Sequence, residues 1–149
     1  WLGDPVPDSG SKTTLAIKSA LETLGVLPDP AKQYLIKRVI GVGGDTVVCC
    51  DAKGHLTVNG ISVTEPYIFA GNAPSDTKFK VTVPRGYIWV MGDHRGASAD
   101  SRFHTDDIHK GMVPLKDVVG RAEFVVWPFK NLQFLSVGHD LSRIPVKTP

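Results

Sequence analysis

The sequence has no run of apolar residues as long as the roughly 18 that a helix needs to cross a bilayer. It also shows no secretory leader and no lipidation motif. Neither sign of charge predominates, since the sequence has 17 basic and 15 acidic residues. We therefore expect no nucleic-acid partner. Because the chain begins at Trp1, we interpret it as a fragment, and the missing apolar run says little about the whole protein.

Cysteine is scarce, and the two that occur, Cys49 and Cys50, are adjacent. Neighbouring side chains of a strand point to opposite faces, so a bond between these two is expected to be strained. We favour two small buried or half-buried thiols, with a vicinal or intermolecular disulfide as the alternative. The histidines and aspartates of residues 104–109 match no common metal-site spacing. We expect neither a metal nor an organic cofactor.

The residues that are present predict one mostly-β domain. Apolar residues make up 42% of the 149, enough for a hydrophobic core, and 15 glycines indicate many turns. The helical spacing of apolar residues predicts one helix over 15–24. The remainder is typical of short strands, including a hairpin at Asn59-Gly60. The pattern predicts a barrel-like or sandwich fold of short antiparallel strands with one N-terminal helix.

Three regions follow from this pattern. Residues 1–31 are predicted to be an irregular segment and a helical insert. Residues 32–128 are predicted to form the β-domain, with its last strand over 118–127. Residues 129–149 are predicted to be a C-terminal tail that frays.

An unusual lysine lies in the β-rich run 34–42. In a strand, Lys37 shares a face with Leu35 and Val39, while Arg38 lies on an equally apolar opposite face. Burial among apolar neighbours lowers the pKa of an amine, and a neutral amine can act as a general base. An arginine stays charged and needs a carboxylate. The alternative is an edge strand whose two cations extend into solvent.

The second unusual segment is the loop 91–102, which follows a strongly apolar strand. Its two arginines and two aspartates can form internal ion pairs, and its small residues allow close backbone approach. A solvated loop with structural salt bridges is the alternative. A Ser-His-Asp triad of Ser98, His94 and Asp93 is not favoured, because the sequence has no G-x-S-x-G motif.

Together these two segments resemble the bacterial type I signal peptidase family, the S26 peptidases that use a Ser/Lys dyad. Residues 34–45 match the lysine motif of that family. Residues 91–102 match its downstream motif, M-G-D-N-R-x-x-S-x-D-S-R. The resemblance covers residues 32–128, and the insert before the lysine motif is most similar to actinobacterial members.

The resemblance implies a serine endopeptidase that removes signal peptides from exported preproteins after an Ala-x-Ala pattern. It implies a plasma-membrane location, with the catalytic domain on the extracytoplasmic face and an N-terminal anchor outside this sequence. Lys37 corresponds to the general base, and Ser98 to the residue that orients its amine. Two supporting ion pairs are also implied: Arg38 with Asp93, and Asp100 with Arg102.

Two departures from the family pattern matter. His94 stands where the family usually has asparagine, and the S-x-M-x-P-T motif that carries the nucleophilic serine is absent. Ser9, Ser11 and Ser19 lack that motif and are not candidates, so we expect this fragment to be inactive.

Two alternatives to a signal peptidase remain. One is the Ser/Lys self-cleaving domain of SOS-response repressors, which the motif at 91–102 disfavours, and the other is a non-catalytic module that binds extended peptides.

Overall fold

The computed structural model describes residues 34–135, 141, 144 and 145. The chain divides into two compact units, Trp1–Leu35 and Ile36–Pro149, and nearly all described residues belong to the second. The predicted helix over 15–24 lies outside the described residues. The described part of the chain contains nine strands: β1 Arg38–Val42, β2 Thr46–Cys49, β3 Leu56–Val58, β4 Ile61–Ser62, β5 Phe79–Thr82, β6 Tyr87–Met91, β7 Val113–Pro114, β8 Phe124–Val125 and β9 Gln133–Phe134. Its helical segments are short 3₁₀ turns: Arg95–Ala97, Ser101–Phe103, Leu115–Asp117 and Phe129–Asn131.

The strands form three antiparallel sheets. One sheet has the order β1-β6-β7, a second has the order β4-β3-β2-β5, and β8 pairs with β9. The prediction of a mostly-β domain of short antiparallel strands is therefore confirmed. Within the described ranges, strand pairing does not close into a barrel.

One hydrophobic core joins the two larger sheets. Val47, Leu56 and Val58 of the four-stranded sheet are almost fully buried, in the same cluster as Trp89 and Met91 of β6. Burial of each such side chain stabilises the fold by about 1.5–3 kcal/mol. Strand β6 is buried from Ile88 to Met91, on both of its faces. The loop that leaves this strand therefore starts from a rigid position.

The Asn59-Gly60 hairpin is confirmed. Val58 pairs with Ile61, and both turn residues have positive φ, as a type I′ turn requires. The Asn59 side chain donates to Asp45 Oδ1 at 2.8 Å and accepts from the Thr46 amide at 3.0 Å. The hairpin is thereby attached to the glycine-rich turn that connects β1 to β2.

Two expectations need correction. The strand predicted over 118–127 is wrong in extent: only Phe124–Val125 is a strand, and it pairs with Gln133–Phe134 in the predicted tail. The glycine at position 120 and the solvent exposure of Val119 leave residues 118–120 without the apolar contact that a longer strand needs. The favoured thiol interpretation is also wrong, because the structure bonds Cys49 to Cys50 in a vicinal disulfide.

Candidate active site

Strand pairing brings Lys37 next to the loop 92–102. Arg38, the first residue of β1, pairs with Met91, the last residue of β6. The loop therefore begins opposite the lysine and turns back toward it. The Lys37 Nζ donates a hydrogen bond to Ser98 Oγ at 2.7 Å. Ser98 is buried and Lys37 is half-buried.

The surroundings of Lys37 differ from the sequence expectation. The strand predicted from residue 34 begins only at Arg38, so Lys37 precedes it. Leu35 and Val39, the apolar neighbours expected on its face, are 69% and 42% exposed and do not enclose it. The side chain is instead flanked by the polar loop, whose backbone approaches closely because residue 92 is glycine. A Cβ added at Gly92 would lie 2.5 Å from Ser98 Cβ and 3.7 Å from Lys37 Nζ.

The ion pair between Arg38 and Asp93 is present in the structure. The guanidinium donates twice to the carboxylate, with Nε–Oδ1 and Nη2–Oδ2 both at 2.8 Å. It also lies 3.7 Å from the ring centroid of Tyr67, a cation–π distance. The hydrogen bond that Arg38 donates to Asp93 raises the pKa of Arg38 against the opposing effect of burial. Arg38 is thus a permanent cation beside Lys37.

The second ion pair, Asp100 with Arg102, is fully buried. The Arg102 Nε donates to Asp100 Oδ1 at 2.8 Å, and its Nη2 donates to Oδ2 at 2.9 Å. Asp100 Oδ2 also accepts from the Gly92 amide at 2.9 Å. Burial alone raises the pKa of Asp100, but the hydrogen bonds from Arg102 and Gly92 outweigh it and lower the pKa. The carboxylate is therefore charged and fixes the first residue of the loop.

A third ion pair was missed by the sequence analysis. Arg95 Nη2 donates to Glu65 Oε1 at 2.5 Å, and the two side chains are 1% and 3% exposed. Counting charges would have indicated such a partner: once Asp93 pairs with Arg38 and Asp100 with Arg102, no carboxylate in the loop remains for Arg95.

The remaining candidate residues lie apart from this cluster. His94 is exposed and stacks on the ring of Phe69, with centroids 4.3 Å apart. Ser98 bonds to Lys37, while His94 stacks on Phe69, so the structure does not form the disfavoured triad. The described residues contain no group of histidine, cysteine or acidic side chains suited to a metal ion. No helix within them is long and apolar enough to cross a membrane.

The two motifs and their geometry agree with the comparison of this chain with known families. Residues 24–127 match the family described as signal peptidase, peptidase S26, and the chain belongs to that family. The recognition made from the sequence is confirmed.

Individual relatives are signal peptidases. The chain is 42% identical over 134 residues to a probable signal peptidase I of Mycobacterium leprae, a match covering 76% of this chain and 46% of that protein. It is 44% identical over 126 residues to signal peptidase I of Mycobacterium tuberculosis H37Rv, covering 75% and 42%. A crystal structure of a signal peptidase I from Enterococcus faecalis V583 is 31% identical, with a TM-score of 0.46 over 59% of this chain and 81% of that one. The matched region is thus less than half the length of these mycobacterial relatives.

Proposed function

We propose that the protein containing this chain is a serine endopeptidase that removes signal peptides from exported preproteins. The observation that carries the proposal is the hydrogen bond of 2.7 Å between Lys37 Nζ and Ser98 Oγ. Family membership and similarity to signal peptidases support it. They also favour a peptidase over a self-cleaving repressor domain or a non-catalytic peptide-binding module.

In this mechanism Lys37 is the general base. Its uncharged amine accepts the proton of a serine hydroxyl, whose oxygen forms a bond to the scissile carbonyl carbon. The protonated amine then gives its proton to the leaving amine as the C–N bond breaks. In the second half of the reaction, water gives a proton to Lys37 and attacks the acyl carbon. The bond to the serine oxygen breaks, the serine regains its proton from Lys37, and the acyl group leaves as a carboxylic acid. The nucleophile belongs to an S-x-M-x-P-T segment that the present sequence does not contain.

Ser98 orients the base in this proposal. Its hydroxyl is buried against Gly92 and is already bonded to the lysine amine. A substrate carbonyl therefore has no room to approach it. By accepting a hydrogen bond from Nζ, Ser98 fixes the direction of the amine. The ion pair of Arg38 with Asp93 fixes the backbone next to Lys37. The ion pair of Asp100 with Arg102 fixes the backbone that follows Ser98.

The proposed substrate is an extended peptide with small residues in an Ala-x-Ala pattern. It would bind as an added strand, with its small side chains in shallow pockets. We further propose that the protein acts on the extracytoplasmic face of the plasma membrane and is held there by an anchor outside this sequence.

The test is processing of a precursor by the full-length gene product. Purified protein in detergent is incubated with a secretory precursor that has an Ala-x-Ala site, and the product is identified by N-terminal sequencing. Cleavage after that site is expected, with none in the Lys37→Ala variant, which should keep the wild-type circular dichroism spectrum. Binding of the precursor without cleavage would support the peptide-binding module instead. Equal cleavage by Lys37→Ala would disprove the role of the lysine.

A further inference from the structure

We propose that Glu65 is a positioning residue that keeps the Lys37 amine and the Ser98 hydroxyl at hydrogen-bonding distance. This inference rests on the proposed function. Glu65 lies outside both motifs, 28 positions after Lys37 and 33 before Ser98 in the numbering of the chain. Its carboxylate is buried and contacts both Arg95 and Tyr67. Through these two residues it is connected to each half of the Lys37–Ser98 pair.

The connection to Ser98 runs through Arg95 and Gly92. While one end of the guanidinium pairs with Glu65, its Nε donates to the Gly92 carbonyl at 3.0 Å. On the opposite side of the same residue, the Gly92 amide donates to Asp100. Gly92 is thus fixed by a side chain at each of its polar groups, and it lies directly against Ser98. A shift of Arg95 would displace the surface on which Ser98 rests.

The connection to Lys37 runs through Tyr67 and Arg38. The Tyr67 hydroxyl donates to Glu65 Oε1 at 2.9 Å, and the Tyr67 ring lies under the Arg38 guanidinium. Burial and the neighbouring Glu65 carboxylate both raise the pKa of Tyr67, so its hydroxyl keeps its proton and remains a donor. Arg38 is the residue that follows Lys37. The Glu65 carboxylate therefore contacts one residue connected to Ser98, which is Arg95, and one connected to Lys37, which is Tyr67.

Glu65 also stabilises the fold, and the test must separate the two roles. Removing its charge leaves Arg95 as a buried cation without a carboxylate, which is strongly destabilising. Replacing both members of a buried pair by apolar residues of similar size is often neutral for stability. The double variant Glu65→Leu/Arg95→Met should therefore regain much of the thermal stability that Glu65→Gln loses. The double variant cannot restore the hydrogen bond that Arg95 donates to the Gly92 carbonyl.

The experiment measures Tm, kcat and KM for the full-length protein with a precursor substrate. The variants are Glu65→Gln, the double variant and Tyr67→Phe, which keeps every charge and the ring under Arg38. The matched control is Glu123→Gln, the same change at a glutamate whose pairing with Arg121 is exposed to solvent. For the double variant we expect a Tm above that of Glu65→Gln but a kcat lower by about 10- to 100-fold, with KM little changed. Tyr67→Phe should lower kcat in the same way but less, and the control should match wild type.

Two results would overturn the proposal. A double variant with recovered Tm and wild-type kcat would show that Glu65 serves stability alone. The same conclusion follows if Tyr67→Phe leaves kcat unchanged and Glu65→Gln loses activity only in proportion to its unfolded fraction. Failure of the proposed function itself is distinguishable, because wild type would then not cleave the precursor at all.

Discussion

The contact between Gly92 and Ser98 makes Gly92→Ala a severe test of the candidate site. An alanine Cβ at this position would lie 2.5 Å from Ser98 Cβ and would also overlap Ser98 Oγ. Rotation about χ1 could move the hydroxyl away, but only by breaking its hydrogen bond to Lys37 Nζ. Rotation cannot move the Cβ atom. The backbone of one of the two residues must therefore shift.

The size of that shift follows from ordinary contact distances. Carbon atoms in contact are about 3.5–4.0 Å apart, so the two Cβ atoms must separate by roughly 1 Å or more. Misplacement of a catalytic group by about 1 Å can lower a rate about 100-fold. Forcing an extra methyl into a packed site costs about 1–3 kcal/mol of stability. We therefore expect Gly92→Ala to fold, with a lower Tm and a kcat near one hundredth of wild type.

Gly96→Ala is the matched control for this experiment. Gly96 lies in the same loop, but a Cβ there would meet its nearest atom, Asn72 Oδ1, at an ordinary 3.7 Å. Both variants are assayed for precursor cleavage and for Tm by differential scanning fluorimetry. Gly96→Ala should retain wild-type values for both. If Gly92→Ala also retained full kcat, the close approach of Gly92 to Ser98 would not contribute to the geometry of the base.

Three further predictions concern the same cluster. Ser98→Ala should lower kcat less than Lys37→Ala does, because it removes orientation rather than proton transfer, and an unchanged kcat would contradict the orienting role. Ser98→Asp should be far less active than the equally large Ser98→Asn, because a carboxylate beside Lys37 favours the protonated amine, and equal activities would refute this. Asp100→Asn should weaken the acid dependence of stability. The folded-state pKa of Asp100 is lowered, so its contribution is present above the unfolded value of about 3.9 and is lost as pH falls through the folded value. The Tm of wild type should therefore fall below about pH 4 more steeply than that of Asp100→Asn, and parallel Tm curves would contradict this.

The parts of the fold that depend on local sequence were the predictable ones. A type I′ turn requires positive φ at both of its central residues, and Asn-Gly is the dipeptide that adopts this conformation most readily. These two residues were therefore enough to predict the hairpin. The region 118–127 has apolar residues but few partners within the described part of the chain, and its β-propensity alone did not determine its structure.

The contacts of the site were predictable only where both residues lie within the two segments that resemble the family motifs, 34–45 and 91–102. Asp100 and Arg102 are two positions apart, and the loop composition allowed internal ion pairs, but the family resemblance specified this particular pair. Arg95 and Glu65 are 30 positions apart, and nothing periodic connects them. Only the requirement that a buried cation must have a carboxylate indicates that such a partner exists, and it does not say where. The position of that carboxylate is determined by the tertiary fold, which brings Glu65 to Arg95.

The distribution of carboxylates explains how the site could support a lysine base. Each arginine of the cluster has its own carboxylate: Arg38 has Asp93, Arg95 has Glu65, and Arg102 has Asp100. Within the described residues, the hydrogen bond seen at Lys37 Nζ goes instead to a hydroxyl. A carboxylate in that place would hold a proton on the amine, whereas a hydroxyl fixes its direction without adding a negative charge. Each of these three carboxylates is thus engaged by an arginine, and the ion pairs fix the loop beside Lys37. A carboxylate introduced at position 98 would be the partner of Lys37 itself, and this is why the Ser98→Asp and Ser98→Asn variants should differ.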